Sequence, residues 1–401
     1  MAGSTPDMGK PQFSSHAWLE PIVVVSIMLG SLVLNRRKNY SIWSDNRPIE
    51  ERTPRRYFDS DDEYRERSPS PGKTDRVCGV SVATPDSSRW ARHIHSRILY
   101  KFPFLVEMFY WAVNYLFYSV TKATAQWLAP AQESVVEIAQ RHGESILWFE
   151  HESVFRWMFP IMESDFQGYF LGNHPSIMTF FNRIYSLVHI PGTVLFISWY
   201  YHEAPNANTF AFVRRTMTLG NFFAFAIFCV YPCMPPRLLP DSYHFFDTVR
   251  QDHAESVWVD SKSVNQFAAM PSLHFTYAFV ISSTFLYHSE IFRRFRGKPV
   301  RKSTFSQVLY TVLALAYSLL VLSVIVATAN HYWLDAVLAM VSVTVCFMVN
   351  RVFLLLLPVE YCLCWVLRLA KPPPHVGGNK SDDSRAMESP QYRAVSGSDN
   401  V

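Results

Sequence analysis

The chain has 401 residues, of which 49% are hydrophobic and 15% aromatic but only 17% charged, and its formal net charge is +4. A positive charge this small and dispersed is not typical of nucleic-acid-binding proteins, so we expect no nucleic acid partner. The apolar residues gather in runs long enough to cross a hydrocarbon core of roughly 30 Å, which takes about 20 helical residues. The composition therefore argues against an ordinary soluble protein and predicts an all-α, polytopic membrane helical bundle.

The apolar runs predict six core transmembrane helices preceded by an N-terminal anchor helix. The first run lacks a basic start and a small-residue cleavage site, so we interpret it as a retained anchor rather than a signal peptide. In chain order the runs are 18–34 for the anchor and then 104–120, 184–201, 217–234, 270–287, 308–329 and 333–357.

Two polar segments flank this membrane part of the chain. Residues 36–101 contain 15 Lys and Arg and 10 Asp and Glu, and such a composition buries too little apolar surface to offset the entropy cost of folding. We therefore predict an anchor at 1–35, a disordered cytoplasmic linker at 36–101, a membrane domain at 102–371 and a disordered cytoplasmic tail at 372–401.

The distribution of charge predicts the orientation of the bundle. Cytoplasmic loops carry an excess of Lys and Arg, and the loop "HSEIFRRFRGKPVRKS" after the fifth run holds six basic residues. Counting runs outward from this loop places residues 129–176 and 235–268 on the opposite side, where acidic residues are frequent. We expect an active site on that lumenal or extracytoplasmic side, in the ER, the Golgi or another endomembrane.

Three polar clusters stand where predicted helices end on this side. They are "CMPPRLLP" with Arg237, "MPSLH" with Ser272 and His274, and "TANHYWLD" with His331 and Asp335. Polar groups at membrane depth are costly and mark functional sites, although a single intramembrane histidine is more often structural. His331 and Asp335 are four residues apart and share one helix side, so the carboxylate can orient the imidazole. The set suits phosphoryl transfer by a nucleophilic and an acidic histidine, with a guanidinium binding phosphate oxygens.

At these residues the chain resembles the type 2 phosphatidic acid phosphatase superfamily, whose signature is K-x6-R-P, P-S-G-H and S-R-x5-H-x3-D. The stretch "MPPRLLP…FFDT…VNQFAAMPSLH…TANHYWLD" is most similar to the inositolphosphotransferase branch, which includes inositol phosphorylceramide synthase. The resemblance implies that His331 forms a phosphohistidine, Asp335 orients it and His274 is the general acid. It further implies that Ser272 and Arg237 bind phosphate, and that neither a metal nor a cofactor takes part.

The chain departs from this signature at several positions, namely Val230, Leu238, Leu273, Val324 and Ile325. Two cations that would neutralise phosphate are thereby absent. A phosphodiester carries one charge less than a dianionic monoester and requires less compensation, so the departures favour a transferase that acts on a diester. His244 and His253 in the outer loop could supply another base, although loop histidines are more often simply solvated. His189 could line the substrate cleft or equally be a packed, hydrogen-bonded residue.

We therefore expect a lipid phosphotransferase that moves a phospho-headgroup of a phospholipid or sphingolipid through a phosphohistidine. A lipid or isoprenoid phosphate phosphatase with the same residues is the alternative. A second alternative is an inactive membrane protein that binds lipid. Protein partners, the organelle and the oligomeric state are not predicted by the sequence.

Overall fold

The computed structural model describes residues 18–38, 40–44, 73–77, 80–85, 87–128, 132–252 and 267–377. Contacts within the chain define two compact units. The first comprises residues 1–28, 112–197 and 212–348, and the second comprises residues 29–111, 198–211 and 349–401. Every described residue of the candidate site lies in the first unit.

The described elements are helical apart from one two-stranded antiparallel hairpin. The longer helices, in chain order, are α1 (Leu19–Leu34), α2 (Ile94–Lys101), α3 (Phe104–Leu128), α4 (Gln132–His151), α5 (Glu163–Asn173), α6 (Pro175–Glu203) and α7 (Ala207–Val230). The chain continues through the short α8 (Thr248–Gln251), α9 (Leu273–Ser289), α10 (Ile291–Phe295), α11 (Thr304–Ala327), α12 (Trp333–Val349) and α13 (Leu357–Val366). Short 3-10 helices lie at Ser88–Trp90, Arg156–Met158, Pro236–Leu238, Asp241–Tyr243 and Asn350–Leu356.

The prediction of an all-α membrane bundle is confirmed. Each predicted core span overlaps one long helix, namely α3, α6, α7, α9, α11 and α12. Three helical stretches are long and apolar enough to cross a membrane on their own, namely α7, α11 and residues 333–366. Helix α6 qualifies as a fourth when its two halves are taken together, and it bends by 60° near Pro191, which cannot donate a hydrogen bond to the preceding turn. The predicted anchor is the shorter apolar helix α1.

The C-terminal part of the predicted linker contains secondary structure. Strands Lys73–Val77 and Val80–Thr84 pair as a hairpin, and α2 follows within the segment expected to be disordered. Ring contacts hold the end of this segment in the second unit, since Tyr40 packs edge-on against Tyr100 with ring centroids 4.6 Å apart. Lys101 donates to the backbone carbonyl oxygens of Arg37 and Tyr40 in the same unit. Charged and aromatic side chains make these specific contacts, and a prediction based on composition alone does not detect them.

Within the first unit, α9, α11 and α12 share a core of small and branched side chains. Phe275, Ala278, Val321, Ile325 and Ala339 are all buried there. Alanine at such positions allows two helix backbones to approach closely, as membrane helices do. A hydroxyl pair adds to this packing, because Ser318 Oγ donates to Ser282 Oγ at 2.8 Å. The opposite face of α11 exposes large apolar side chains, as expected for a helix that faces lipid, including Phe305, Val308, Val312, Leu315 and Leu319.

Candidate active site

The turn between α11 and α12 places His331. The backbone N–H groups of Asn330 and His331 both donate to the carbonyl oxygen of Ile325, each at 3.2 Å, and thereby close the end of α11. Ala329 in this turn is fully buried and has a φ of 51°, a left-handed conformation that is rare for a residue with a Cβ. The turn is therefore fixed by packing and hydrogen bonding. It places His331 two residues before the first residue of α12.

Both acceptors of the His331 ring lie at its Nδ1 atom. Nδ1 is 2.8 Å from the carbonyl oxygen of Ala269 and 3.1 Å from Oδ2 of Asp335. A carbonyl oxygen can only accept, so Nδ1 carries the proton and donates to both oxygens. In the neutral ring the lone pair then resides on Nε2. This tautomer is the one that a nucleophilic histidine needs.

Asp335 is built to hold this ring. Its side chain is fully buried, and its Oδ2 atom also accepts the backbone N–H of Tyr332 at 3.0 Å. Its Oδ1 atom is buried and has no hydrogen-bond partner among the described residues. A carboxylate shielded from water interacts strongly with a positive charge that develops on the adjacent imidazole.

The second imidazole comes from a different helix. His274 lies in the first turn of α9, and its ring centroid is 5.7 Å from that of His331, with an angle of 62° between the planes. Tyr185 of α6 stacks on His274, with the ring centroids 4.4 Å apart and an angle of 25° between the ring planes. The two imidazoles therefore border one space, and an aromatic ring fixes the plane of the one expected to be the general acid.

Ser272 has a structural contact in front of His274. It is the N-cap residue of α9, and its Oγ accepts the backbone N–H of Phe275 at 3.3 Å. Its own backbone N–H donates to the carbonyl oxygen of Asp335 at 3.4 Å, and its side chain is fully buried. Serine at an N-cap stabilises the start of a helix. Ser272 thus ties α9 to α12, and phosphate binding by its hydroxyl stays a prediction.

Arg237 joins the cluster "CMPPRLLP" to the turn that carries His331. Its Nε donates to Oδ1 of Asn330 at 2.8 Å, and its backbone N–H donates to the carbonyl oxygen of Ala329 at 2.8 Å. Its Nη1 donates to Oδ2 of Asp247 at 2.7 Å in a half-buried ion pair. Within the described ranges no acceptor pairs with Nη2, so one edge of the guanidinium is available to a ligand. The guanidinium is thereby fixed beside the turn that carries His331.

The additional histidines of the sequence analysis do not join this group. His244 is exposed, with a φ of 61° at the end of the 3-10 helix Asp241–Tyr243, and no described hydrogen bond connects its ring to Arg237 or His331. His253 lies outside the described residues. The backbone at His189 belongs to α6, whereas its side chain lies outside the described part of the structure.

Several site residues were not singled out from the sequence. Asn330 orients Arg237 and is itself held by Thr328, to whose carbonyl oxygen and hydroxyl Nδ2 donates at 3.1 and 2.9 Å. Asp247 and Tyr185 complete the surroundings of Arg237 and His274. The signal for Asn330 was its place directly before His331 in "TANHYWLD". Asp247 stands in "FFDT", but Tyr185 lies in an apolar run where nothing marks it.

The comparison with known protein families agrees with this arrangement. Residues 144–297 match the family model of the PAP2 superfamily. This segment of the chain is therefore similar to the PAP2 superfamily. The matched segment includes Arg237, Ser272 and His274 and ends before His331 and Asp335, whose assignment therefore depends on the geometry given above. No curated protein and no solved structure gives a significant match to the chain.

The similarity to the PAP2 superfamily, together with the apolar membrane-spanning helices, supports a membrane phosphatase or phosphotransferase. This finding disfavours the alternative of an inactive lipid-binding protein. The roles of the individual residues and the absence of a metal and a cofactor stay predictions.

Proposed function

We propose that the protein is a lipid phosphotransferase of the inositolphosphotransferase type, which transfers a phospho-headgroup from a phosphodiester lipid to the hydroxyl of a second lipid. The observation that carries this proposal is the pair of imidazoles. The ring centroids of His331 and His274 are 5.7 Å apart, and the Nδ1 atom of His331 is occupied by Ala269 and Asp335, so that its Nε2 bears the lone pair.

The proposed reaction has two balanced steps. In the first, Nε2 of His331 attacks phosphorus and forms an N–P bond, while the P–O bond to the donor lipid breaks and His274 protonates the leaving oxygen. In the second, the acceptor hydroxyl gives its proton to His274 and attacks phosphorus, and the N–P bond breaks. Asp335 stabilises the positive charge that the attacking imidazole acquires, and Arg237 contacts the phosphate oxygens.

The charge around the phosphate position supports a diester substrate. The positive charge of Arg237 is already shared with Asp247, whose Oδ2 atom lies 2.7 Å from Nη1. The positions where the superfamily signature has a lysine and a second arginine hold Val230 and Ile325, and Ile325 is fully buried. A site with this limited positive charge compensates one negative charge more readily than two. A phosphatase acting on dianionic monoesters is therefore the second choice.

An apolar cavity lined by near neighbours of the two histidines in the chain supports a lipid as substrate. The cavity has a volume of about 570 Å³ and lies between α9, α11, α12 and the loop that contains Ile161. Its walls include Phe275, which follows His274 in the chain, and Trp333 at the start of α12. The remaining walls are mainly Leu, Met, Ala and Ser side chains of the three helices. Hydrocarbon chains of a bound lipid would be buried here with the phosphate directed at the histidines.

The location of the reaction follows from the proposed topology. The basic loop that contains Arg293, Arg294 and Arg296 joins α9 to α11 at the end remote from His274. Under the positive-inside rule this loop is cytoplasmic, so the histidines belong to the lumenal or extracytoplasmic leaflet. An endomembrane such as the Golgi or ER is the compartment that this topology suits.

The test is a substrate comparison with the purified full-length protein in lipid bilayers. Phosphatidylinositol labelled in its headgroup is supplied with ceramide, and phosphatidic acid is supplied separately. The proposal expects labelled inositol phosphorylceramide in the first reaction, and none with a His331→Gln variant. Release of inorganic phosphate from phosphatidic acid without labelled ceramide product would establish the phosphatase alternative instead.

A further inference from the structure

A second cluster of titratable side chains lies outside the candidate site. Glu150 and His151 end α4, and Glu163 begins α5. Each residue offers one oxygen or nitrogen, and these atoms all lie within 4.8 Å of one another. Both carboxyl groups are fully buried. Two buried carboxyl groups in contact are unstable unless they are neutralised or take a structural role through hydrogen bonds.

The two carboxyl groups bind the beginning of the helix that carries Asp335. Oε1 of Glu150 accepts the backbone N–H of Leu334 at 2.5 Å, and Oε1 of Glu163 accepts that of Trp333 at 3.3 Å. The N–H of Tyr332 is bound by Asp335 itself at 3.0 Å. Three successive N–H groups at the N-terminal end of α12, where backbone donors have no partner inside the helix, are thus each accepted by a carboxyl group.

The remaining atoms of the cluster show how its charge is distributed. Nε2 of His151 is 2.8 Å from Oε2 of Glu163, and this contact raises the pKa of His151. Oε2 of Glu150 is buried, and among the described residues no donor reaches it. Burial, followed by a hydrogen bond with Glu163, raises the pKa of Glu150 to about 11. Glu150 is therefore a neutral acid that donates its own proton to Glu163, whereas Glu163 is ionised and paired with His151.

We propose that Glu150, Glu163 and His151 form a positioning clamp that holds the first turn of α12, and with it His331 and Asp335, in the geometry for phosphoryl transfer. None of the three touches the substrate. The inference depends on the proposed roles of His331 and Asp335. Glu163 acts through its charge and its bond to Trp333, whereas Glu150 acts as an acceptor for Leu334 and needs no charge.

Replacing Glu150 by glutamine should therefore affect kcat differently from replacing Glu163 by glutamine. In Glu150→Gln the amide oxygen still accepts the N–H of Leu334, and the amide nitrogen replaces the acid proton as donor to Glu163. We expect kcat and KM within about twofold of the wild type. In Glu163→Gln the ionic partner of His151 is lost, and we expect kcat to fall roughly tenfold at unchanged KM, because a charge-assisted hydrogen bond is broken.

Two readouts separate positioning from general stability. The pH profile of kcat in Glu163→Gln should lose the limb that reports His151, whereas Glu150→Gln should keep it. Other charged and titratable groups surround the clamp, and their titration also contributes to the pH profile. They are Arg141, Glu144, Glu152, Asp165, Cys233, Tyr243, Tyr332 and Asp335. His151→Gln keeps a donor for Glu163 without the charge and should lie between the two glutamate variants.

Hydrogen exchange provides a readout that does not need activity. The peptide that contains Trp333 and Leu334 should exchange roughly tenfold faster in Glu163→Gln than in the wild type, and at the wild-type rate in Glu150→Gln. If His331 proves not to be catalytic, this measurement still tests the clamp. Equal loss of activity and protection in both glutamate variants would overturn the inference. So would a divalent cation that copurifies with the protein and whose removal by a chelator lowers kcat, because the cluster would then be a metal site.

Discussion

The ring of His331 and the carboxylate of Asp335 are joined through a single nitrogen, with Nδ1 of the histidine 3.1 Å from Oδ2 of the aspartate. The same Nδ1 atom is 2.8 Å from the carbonyl oxygen of Ala269. The tautomer of His331 is therefore secured by two acceptors, of which only Asp335 carries a charge. In the proposed mechanism, the contribution of Asp335 beyond orientation is the stabilisation of the positive imidazole in the transition state.

The first prediction separates these two effects. In Asp335→Asn the carbonyl oxygen of Ala269 continues to hold the Nδ1 proton, so the nucleophile keeps its tautomer but loses its counter-charge. We expect kcat to fall roughly 10²-fold with little change in KM, because the lost interaction is made mainly in the transition state. Initial rates with the headgroup-labelled lipid measure this effect. A variant with wild-type kcat would show that the carboxylate does not assist the reaction.

The second prediction concerns the ion pair of Arg237. Asp247→Asn removes one negative charge 2.7 Å from the guanidinium. The asparagine keeps a side-chain oxygen that can accept the backbone N–H of Arg250, as Asp247 does. The net positive charge at the phosphate position increases by one unit. We expect the ratio of kcat/KM for a dianionic monoester to that for a diester to rise roughly tenfold.

Arg237→Lys is the matched variant for this ratio. A lysine cannot bind Asn330 and Asp247 at the same time as the guanidinium does, so binding of both substrates should weaken. An unchanged substrate ratio in Asp247→Asn would contradict the account of how charge selects a diester.

The third prediction tests the proton donor. His274→Gln should lower kcat about 10²- to 10⁴-fold for a lipid donor, whose leaving alkoxide needs protonation. The loss should be much smaller for an aryl phosphodiester, since a phenolate leaves without a proton. His331→Gln should abolish turnover of both substrates. If His274→Gln is equally impaired with both leaving groups, His274 is not the general acid.

The sequence predicted the site residues that lie in short motifs, but not the contacts that depend on the folded chain. The residues proposed to do the chemistry stand in short motifs, and His331 and Asp335 share a helix face by spacing alone, so their proximity could be predicted. The partner of Arg237 could not, because Asn330 meets it only through the turn after α11, where Ala329 takes a left-handed conformation. Glu150 and Glu163 counted in the sequence only as acidic residues of the segment 129–176, since burial is a property of the folded chain.

The fold, too, was predicted from the sequence only in part. Apolar runs predicted the helices of the bundle, because hydrophobic length alone decides whether a segment can cross a membrane. The hairpin at 73–84 and helix α2 were not predicted, because a high content of charge does not exclude local hydrogen bonding or contacts such as that between Tyr40 and Tyr100.

The fourth prediction is a pH dependence of stability that arises from Glu150. The pKa of this group is raised to about 11 in the folded protein, chiefly by burial, from an ordinary value of 4.5. A raised folded-state pKa adds stability that is fully present below pH 4.5 and is lost progressively as the pH rises towards 11, because the unfolded chain releases this proton first. Glu150→Gln has no such proton, so its melting temperature should fall less between about pH 5 and 9 than that of the wild type.

Thermal unfolding in one detergent over this pH range compares the two proteins, and His151→Gln is measured in parallel. The pKa of His151 is raised by its hydrogen bond to Glu163, so its contribution is present below its ordinary value of 6.5 and is lost as the pH rises through the folded-state value. Parallel curves for Glu150→Gln and the wild type would show that Glu150 is ionised in the folded protein.

The most direct test of the central claim is the identification of the covalent intermediate. The enzyme is mixed with headgroup-labelled phosphodiester lipid without acceptor, quenched in alkali, in which phosphohistidine survives, and digested for mass spectrometry. The account predicts the label on the peptide that contains His331, attached to Nε2 because Nδ1 is engaged by Ala269 and Asp335. Label on His274, attachment to Nδ1, or turnover without any labelled histidine would contradict it.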